Sequence, residues 1–120
     1  ARQEGLIMLY EKFITKRVEL LEKNINKHFK NVSFKLFSTQ VNGAIAETCE
    51  ATINGVPFSN ANTAGQINAG IDIINTLSEY FKLVAPIFID NSECVNKIAD
   101  TKGQLIKLVV TEDKEIKINE

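Results

Sequence analysis

Between Gly5 and Phe29 the apolar residues Leu6, Tyr10, Phe13, Val18, Leu21, Ile25 and Phe29 recur at three-, four- and five-residue steps, with Lys, Arg and Glu between them. That period is helical, and Glu19 and Lys23 add a favourable i,i+4 pair. The pattern suits the stub of a coiled coil entering a globular head, and equally a surface helix packed on a sheet. From Val32 the period shortens to two. Val32-Ser33-Phe34-Lys35-Leu36-Phe37 predicts a strand, Asn42-Gly43 a two-residue hairpin turn, and 44–53 the returning strand. A second pair, Asn54-Gly55, turns the chain into Val56-Pro57-Phe58, where Pro57 restricts the piece to an edge or a strand end.

The polar residues 59–62 read as a loop. Thr63 then fits a helix N-cap, with Gln66 three residues on completing a capping box. Ile67, Gly70, Ile71, Ile74, Leu77 and Phe81 line one face of the helix that follows, to about Lys82. The run Ala85-Pro86-Ile87-Phe88-Ile89, ending in Asp90, is too short for a helix and predicts a buried strand in a parallel arrangement. A short helix over 92–99, a turn at Lys102-Gly103, a strand over 104–110 and a last strand over 115–119 complete the expectation. The predicted fold is α/β: an N-terminal coiled-coil-like helix, a short β-meander, then a helix and strand in a mainly parallel sheet. One domain spans 1–120, with a helical stub over 1–30 and a globular lobe over 31–120.

Bulk properties narrow this picture. A chain of 120 residues with 44% apolar and 24% charged residues has the composition of one globular domain. Its net charge of −1 sets up no overall basic field for nucleic acid. No apolar run nears the roughly 18–20 residues that span a bilayer, and no signal-peptide pattern opens the chain, so the expectation is a cytoplasmic protein with no membrane partner. With only Cys49, Cys94 and His28 available, a zinc site of thiolates and imidazoles lacks ligands, whereas a disulfide stays open. The chain starts at Ala1 within helical pattern, which reads as an excised fragment.

Two places carry candidate chemistry. A helix start offers unpaired N–H groups and partial positive charge to a phosphate. Ala64 and Gly65 keep that start free of bulk, so Thr63, Ala64, Gly65 and Gln66 form a candidate nucleotide contact. The plain alternative is a capping box that stabilises the helix by about 1 kcal/mol without any ligand. Asp90 falls at the carboxyl end of the apolar strand, where α/β proteins hold a metal ion or polarise water. Its plain alternative is a cap on the following turn. Asn91 and Glu93 are placed to orient water, Thr111 could reach the same edge, and His28 reads as a solvated helix end. No Gly-Lys-Ser or Gly-Lys-Thr occurs, so a phosphate loop is missing and a nucleotide could be touched but hardly held.

Asn62-Thr63-Ala64-Gly65-Gln66 resembles the signature loop of ABC ATPases, and 85–90 resembles a Walker B strand. The order of helix, short strands, signature helix, Walker B strand and final strands resembles the C-terminal lobe of the ATPase head in the chromosome-maintenance, RecN and RecF-like group, including phage and bacterial members. The resemblance implies that Thr63, Gly65 and Gln66 contact the γ-phosphate of ATP bound to a second head or to an N-terminal ATPase half, with Ala64 in the same nucleotide-binding loop. It implies that Asp90 supports Mg²⁺ and that the full-length protein acts on DNA, as a homodimer or with a partner. Two departures stand out. The catalytic Glu that the family places after the Asp is Asn91 here, and an amide cannot take a proton from water, which leaves Glu93 as the substitute. The switch histidine after the late strand is absent, since Thr111 and Glu112 follow Val110. The competing expectation is a stand-alone, catalytically dead interaction module, such as a phage inhibitor or adaptor of a host ATPase or nuclease.

Overall fold

The computed structural model describes residues 2–119. Helix α1 (Arg2–Asn26) leads into a three-stranded meander, β1 (Val32–Thr39), β2 (Ile45–Ile53) and β3 (Val56–Pro57). A 3-10 turn, Phe58–Asn60, precedes helix α2 (Thr63–Phe81), and two short strands follow, β4 (Ile87–Ile89) and β5 (Leu105–Lys107). The meander is antiparallel in the order β1-β2-β3, whereas β4 and β5 pair in parallel. The chain is thus mixed α/β as expected, but parallel pairing is confined to one pair of three-residue strands and the larger sheet is antiparallel. Both Asn-Gly turns favour that outcome, because two-to-five-residue connections can join only antiparallel neighbours.

The turns differ in detail. Asn54 and Gly55 adopt φ of 51° and 82°, the mirror-image turn expected between β2 and β3. At the first hairpin the Gln40 N–H bonds the Ala44 carbonyl at 2.8 Å, leaving a three-residue loop, 41–43, rather than a two-residue turn. Leu36 on β1 faces two β2 residues, Thr48 and Cys49, as the register shift between Lys35 and Phe37 requires. This bulge re-aims the far half of the hairpin.

The outer edge of β1 is closed by side chains. Its alternate N–H groups at 32, 34 and 36 point away from β2, and each finds an acceptor. Asp72 of α2 takes Val32 at 3.1 Å, Asn26 of α1 takes Phe34 at 2.7 Å, and Glu22 of α1 takes Leu36 at 2.8 Å. Asn26 also donates to the Phe34 carbonyl at 2.9 Å, which reproduces both bonds of a strand partner. Side chains one helical turn apart therefore substitute for a fourth strand and prevent edge-to-edge pairing.

The core is small. Ile71 of α2 packs on Ile87 and Ile89 of β4, bordered by Ile67, Ile98, Ala99 and Leu105. Phe88, between the two buried isoleucines, is 65% exposed, so β4 is covered on one face and not on both as its apolar sequence predicted. The remaining late elements are shorter than expected. The 92–99 segment forms only the 3-10 turn Ser92–Cys94, and 108–119 forms no strand. Cys49 and Cys94 are both free and exposed.

Candidate functional site

The start of α2 is built by Asn62, not Thr63. Asn62 is the N-cap, in extended backbone, and its side-chain oxygen accepts the Gly65 N–H at 2.8 Å. Asn ranks with Asp and Ser as the best N-cap, so the cap falls one residue before the sequence expectation. Gln66 does not close a capping box. Its side-chain amide donates to the Phe58 carbonyl at 2.9 Å and ties the helix start to the 3-10 turn before it. The Gln66 N–H is taken by the Asn62 carbonyl at 2.9 Å.

Gly65 has a local explanation. A Cβ there would lie 2.9 Å from Asn62 Oδ1 and 3.8 Å from Ile53 Cδ1. The close approach that glycine permits is therefore to the cap and to the end of β2 in the same chain. Of the four nucleotide-contact candidates, Ala64, Gly65 and Gln66 are half-buried, and Thr63 alone is exposed. Thr63 is the residue of the tip whose side chain faces outward without an internal hydrogen bond among the described residues.

Asp90 follows the buried Ile89 and is exposed, with its Oδ1 accepting the Asn91 N–H at 2.9 Å. Asn91 adopts a left-handed backbone, φ 53° and ψ 39°, and caps the Ser92–Cys94 turn by position. Glu93 is exposed in that turn. Only five residues separate α2 from β4, and Ile67 and Ile71 in the first half of α2 pack with Ile87 and Ile89. The strand therefore runs back along the helix, and its carboxyl end with Asp90 points the same way as the α2 start. No hydrogen bond joins Asp90, Asn91 or Glu93 to Thr63 or Gly65 among the described residues. Thr111 lies beyond β5, bonded to Asp113 at 3.3 Å.

Magnesium prefers octahedral oxygen coordination, of which one carboxylate supplies one ligand. Among the described residues no group of three or more Asp, Glu, His or Cys side chains could hold a metal. Asp90 alone does not make a magnesium site, and no catalytic step follows from it in this chain.

A polar stripe on α2 was missed by the sequence reading. Asp72, 6% exposed, receives three backbone N–H groups on Oδ2, from Lys30 at 2.9 Å, Asn31 at 2.7 Å and Val32 at 3.1 Å. Consecutive amides curled round one anion form a nest. One turn before it, Asn68 donates to the Lys97 carbonyl at 3.0 Å and accepts the Ala99 N–H at 2.7 Å. One turn after it, Asn75 donates to the Asp100 carbonyl at 2.8 Å and accepts the Lys102 N–H at 3.2 Å. Glu79 closes the row by pairing with the Lys102 ammonium, which holds its carboxyl below the ordinary 4.5. The stripe Asn68, Asp72, Asn75 and Glu79 repeats at helical spacing, and that periodicity was the available signal.

These contacts seat the crossover from β4 to β5 along α2. Between crossover and meander they leave a groove of about 450 Å³ lined by Asn31, Ile53, Asn54, Gly65, Asn68 and Lys97. Gly65 forms one wall, so the groove opens beside the helix start. No helix of the described residues is long and apolar enough to cross a membrane. Compared with family models, curated proteins and solved structures, the chain finds no match.

Proposed function

We propose that this chain is the C-terminal half of an ABC/SMC-like ATPase head, inactive alone, that covers ATP held by an N-terminal ATPase half or a second head. In this reading the contact is made by the outward side of the α2 start: the Thr63 hydroxyl and the first-turn amides of Thr63 and Ala64. Gly65 and Gln66 then act through the backbone, shaping the tip, because their own hydrogen bonds are spent within the chain. ATP and Mg²⁺ would arrive on the partner half, with Asp90 offering at most one outer ligand. With Asn91 where a base is needed, the chain closes a site without abstracting a proton, and Glu93, exposed in its turn, is the remaining acid near it. Work on DNA, in repair, recombination or phage genome metabolism, would belong to the assembled protein.

The observation that supports this reading best is an unfinished sheet. β4 and β5 form a parallel pair with no third strand among the described residues, and Phe88, Val109 and Val110 beside it are 65%, 54% and 81% exposed. Parallel strands normally occur with both faces covered. A partner packed on the outer face of this pair, opposite the face that α2 covers, would bury Phe88.

The test is ATP-dependent association with a phosphate-loop half, mixed with this chain or fused to it. Thr63→Ala should weaken the ATP-dependent complex by about tenfold, the loss of a hydrogen bond to a charged group, without lowering the chain's own stability. Gly65→Asp should abolish it, although a Cβ at 65 also disturbs the Asn62 cap. Association indifferent to both substitutions contradicts the reading.

A further inference from the structure

We propose that α1 is a docking site for an acidic amphipathic helix of a partner protein, held along Leu6, Leu9, Phe13 and Leu20. The face that α1 turns to its own fold is short: Ile14, Val18, Glu22, Ile25 and Asn26 are half-buried, while residues 3–13 are exposed throughout. On another face Leu6, Leu9, Phe13 and Leu20 are 62%, 65%, 63% and 60% exposed. They take the first and fourth places of successive heptads, the 3-4 spacing of a seam that receives knobs from a facing helix. Lys16 and Lys23 take the next fourth places, and Lys12 and Arg17 flank the seam.

The charges choose the occupant. Glu4 and Glu11 lie round the back of the helix, and Glu22 is committed to β1 through Leu36 and Phe37. Glu19, the one acid of α1 beside the seam, bonds Lys16 at 2.7 Å in an exposed pair that a partner can exchange, and Glu47 of β2 lines the cleft on the hairpin side of Phe13 and Leu20. A second copy aligned in parallel would set Lys16 on Lys16 and Lys23 on Lys23, and like charges at a helical interface are unfavourable. A helix with Leu or Ile at its seam and Glu or Asp opposite Lys16 and Lys23 satisfies both the apolar and the basic positions. This inference deepens the proposed head but does not depend on nucleotide, so each can fail separately.

The test uses the full chain and a synthetic helical peptide of about four heptads, with Leu at the seam and Glu opposite the two lysines, read by fluorescence anisotropy. The expected result is binding at least about tenfold tighter than to the same peptide carrying Lys for Glu or Ser for Leu, weakening with added salt. Leu6→Glu combined with Leu9→Glu should remove it while amide spectra of the meander and α2 stay unchanged, since both lie in the exposed stretch 3–13 and neither lines the cleft between α1 and the hairpin. Three outcomes overturn the proposal: equal binding of the control peptides, self-association of the chain through the same residues, or preference for phosphatidylserine vesicles over the acidic peptide.

Discussion

Asp72 is the residue that ties α2 to the start of the meander. Its single carboxylate oxygen gathers the amides of 30–32, fixes the entry to β1, and does so from the buried face of α2. Hydrogen bonds to a charged acceptor are worth about 1.5–3 kcal/mol, and unpaired buried amides cost a further amount of similar size. Asp72→Ala should therefore lower the unfolding free energy by about 3 kcal/mol in urea titration. Asp72→Asn should recover part of that loss, because one carbonyl oxygen remains to accept. A loss below about 0.5 kcal/mol for the alanine variant would show that the nest is not a structural keystone. Asn62 matters in a smaller way, as a cap whose replacement by alanine removes about 1 kcal/mol.

At the scale of elements, α2 works as a two-sided clamp. Its apolar side carries Ile67 and Ile71 onto β4, and its polar side holds the 97–102 segment through Asn68, Asn75 and Glu79. The Glu79–Lys102 pair lies at the exposed end of that row. Because the carboxyl is held below 4.5 in the folded chain, the pair contributes stability above that value and loses it as pH falls through the lower folded value. Glu79→Gln should remove this acid-side slope: the parent chain keeps an advantage above the ordinary carboxyl pKa, small because the pair is exposed and salt-screened, and the two chains converge as pH falls through the lower folded value. Comparing denaturation midpoints of the two chains between pH 3 and 7 reads it directly. An identical acid slope in both would assign the dependence elsewhere.

The two helices, the meander and the second Asn-Gly turn were legible from period and turn chemistry. The polar stripe was not, because Asn68, Asp72, Asn75 and Glu79 have the sequence of a solvated helix face, and only tertiary contact turns such a face into a row of backbone partners. The capping box failed for a related reason. Asn62 and Thr63 are both good caps, Asn the better one, and with the cap at Asn62 the position three residues on is Gly65, so Gln66 bonds the Phe58 carbonyl instead. The strand expected over 115–119 has the alternating pattern Glu115-Ile116-Lys117-Ile118, but a strand needs a neighbour. Ile116 and Ile118 are 97% and 89% exposed instead.

The whole molecule is extended. Its radius of gyration is 20.4 Å, against about 14 Å for a compact chain of this length. Its surface of 9983 Å² exceeds the roughly 6,500 Å² of a compact monomer of 13.4 kDa. The excess is on the order of an obligate interface, and it is concentrated on α1, around Phe88, and along 108–119. The exposed apolar residues of these three places are the surface that the proposed partner half would cover. The central claim is that the partner's triphosphate meets the start of α2. It is tested most directly by mapping backbone amide shifts as the phosphate-loop half is added with and without ATP and Mg²⁺. The account predicts that the changes requiring ATP centre on Thr63 and Ala64 and extend along the groove to Lys97. ATP-dependent changes confined to α1 or to the meander, with the α2 start unmoved, would contradict it.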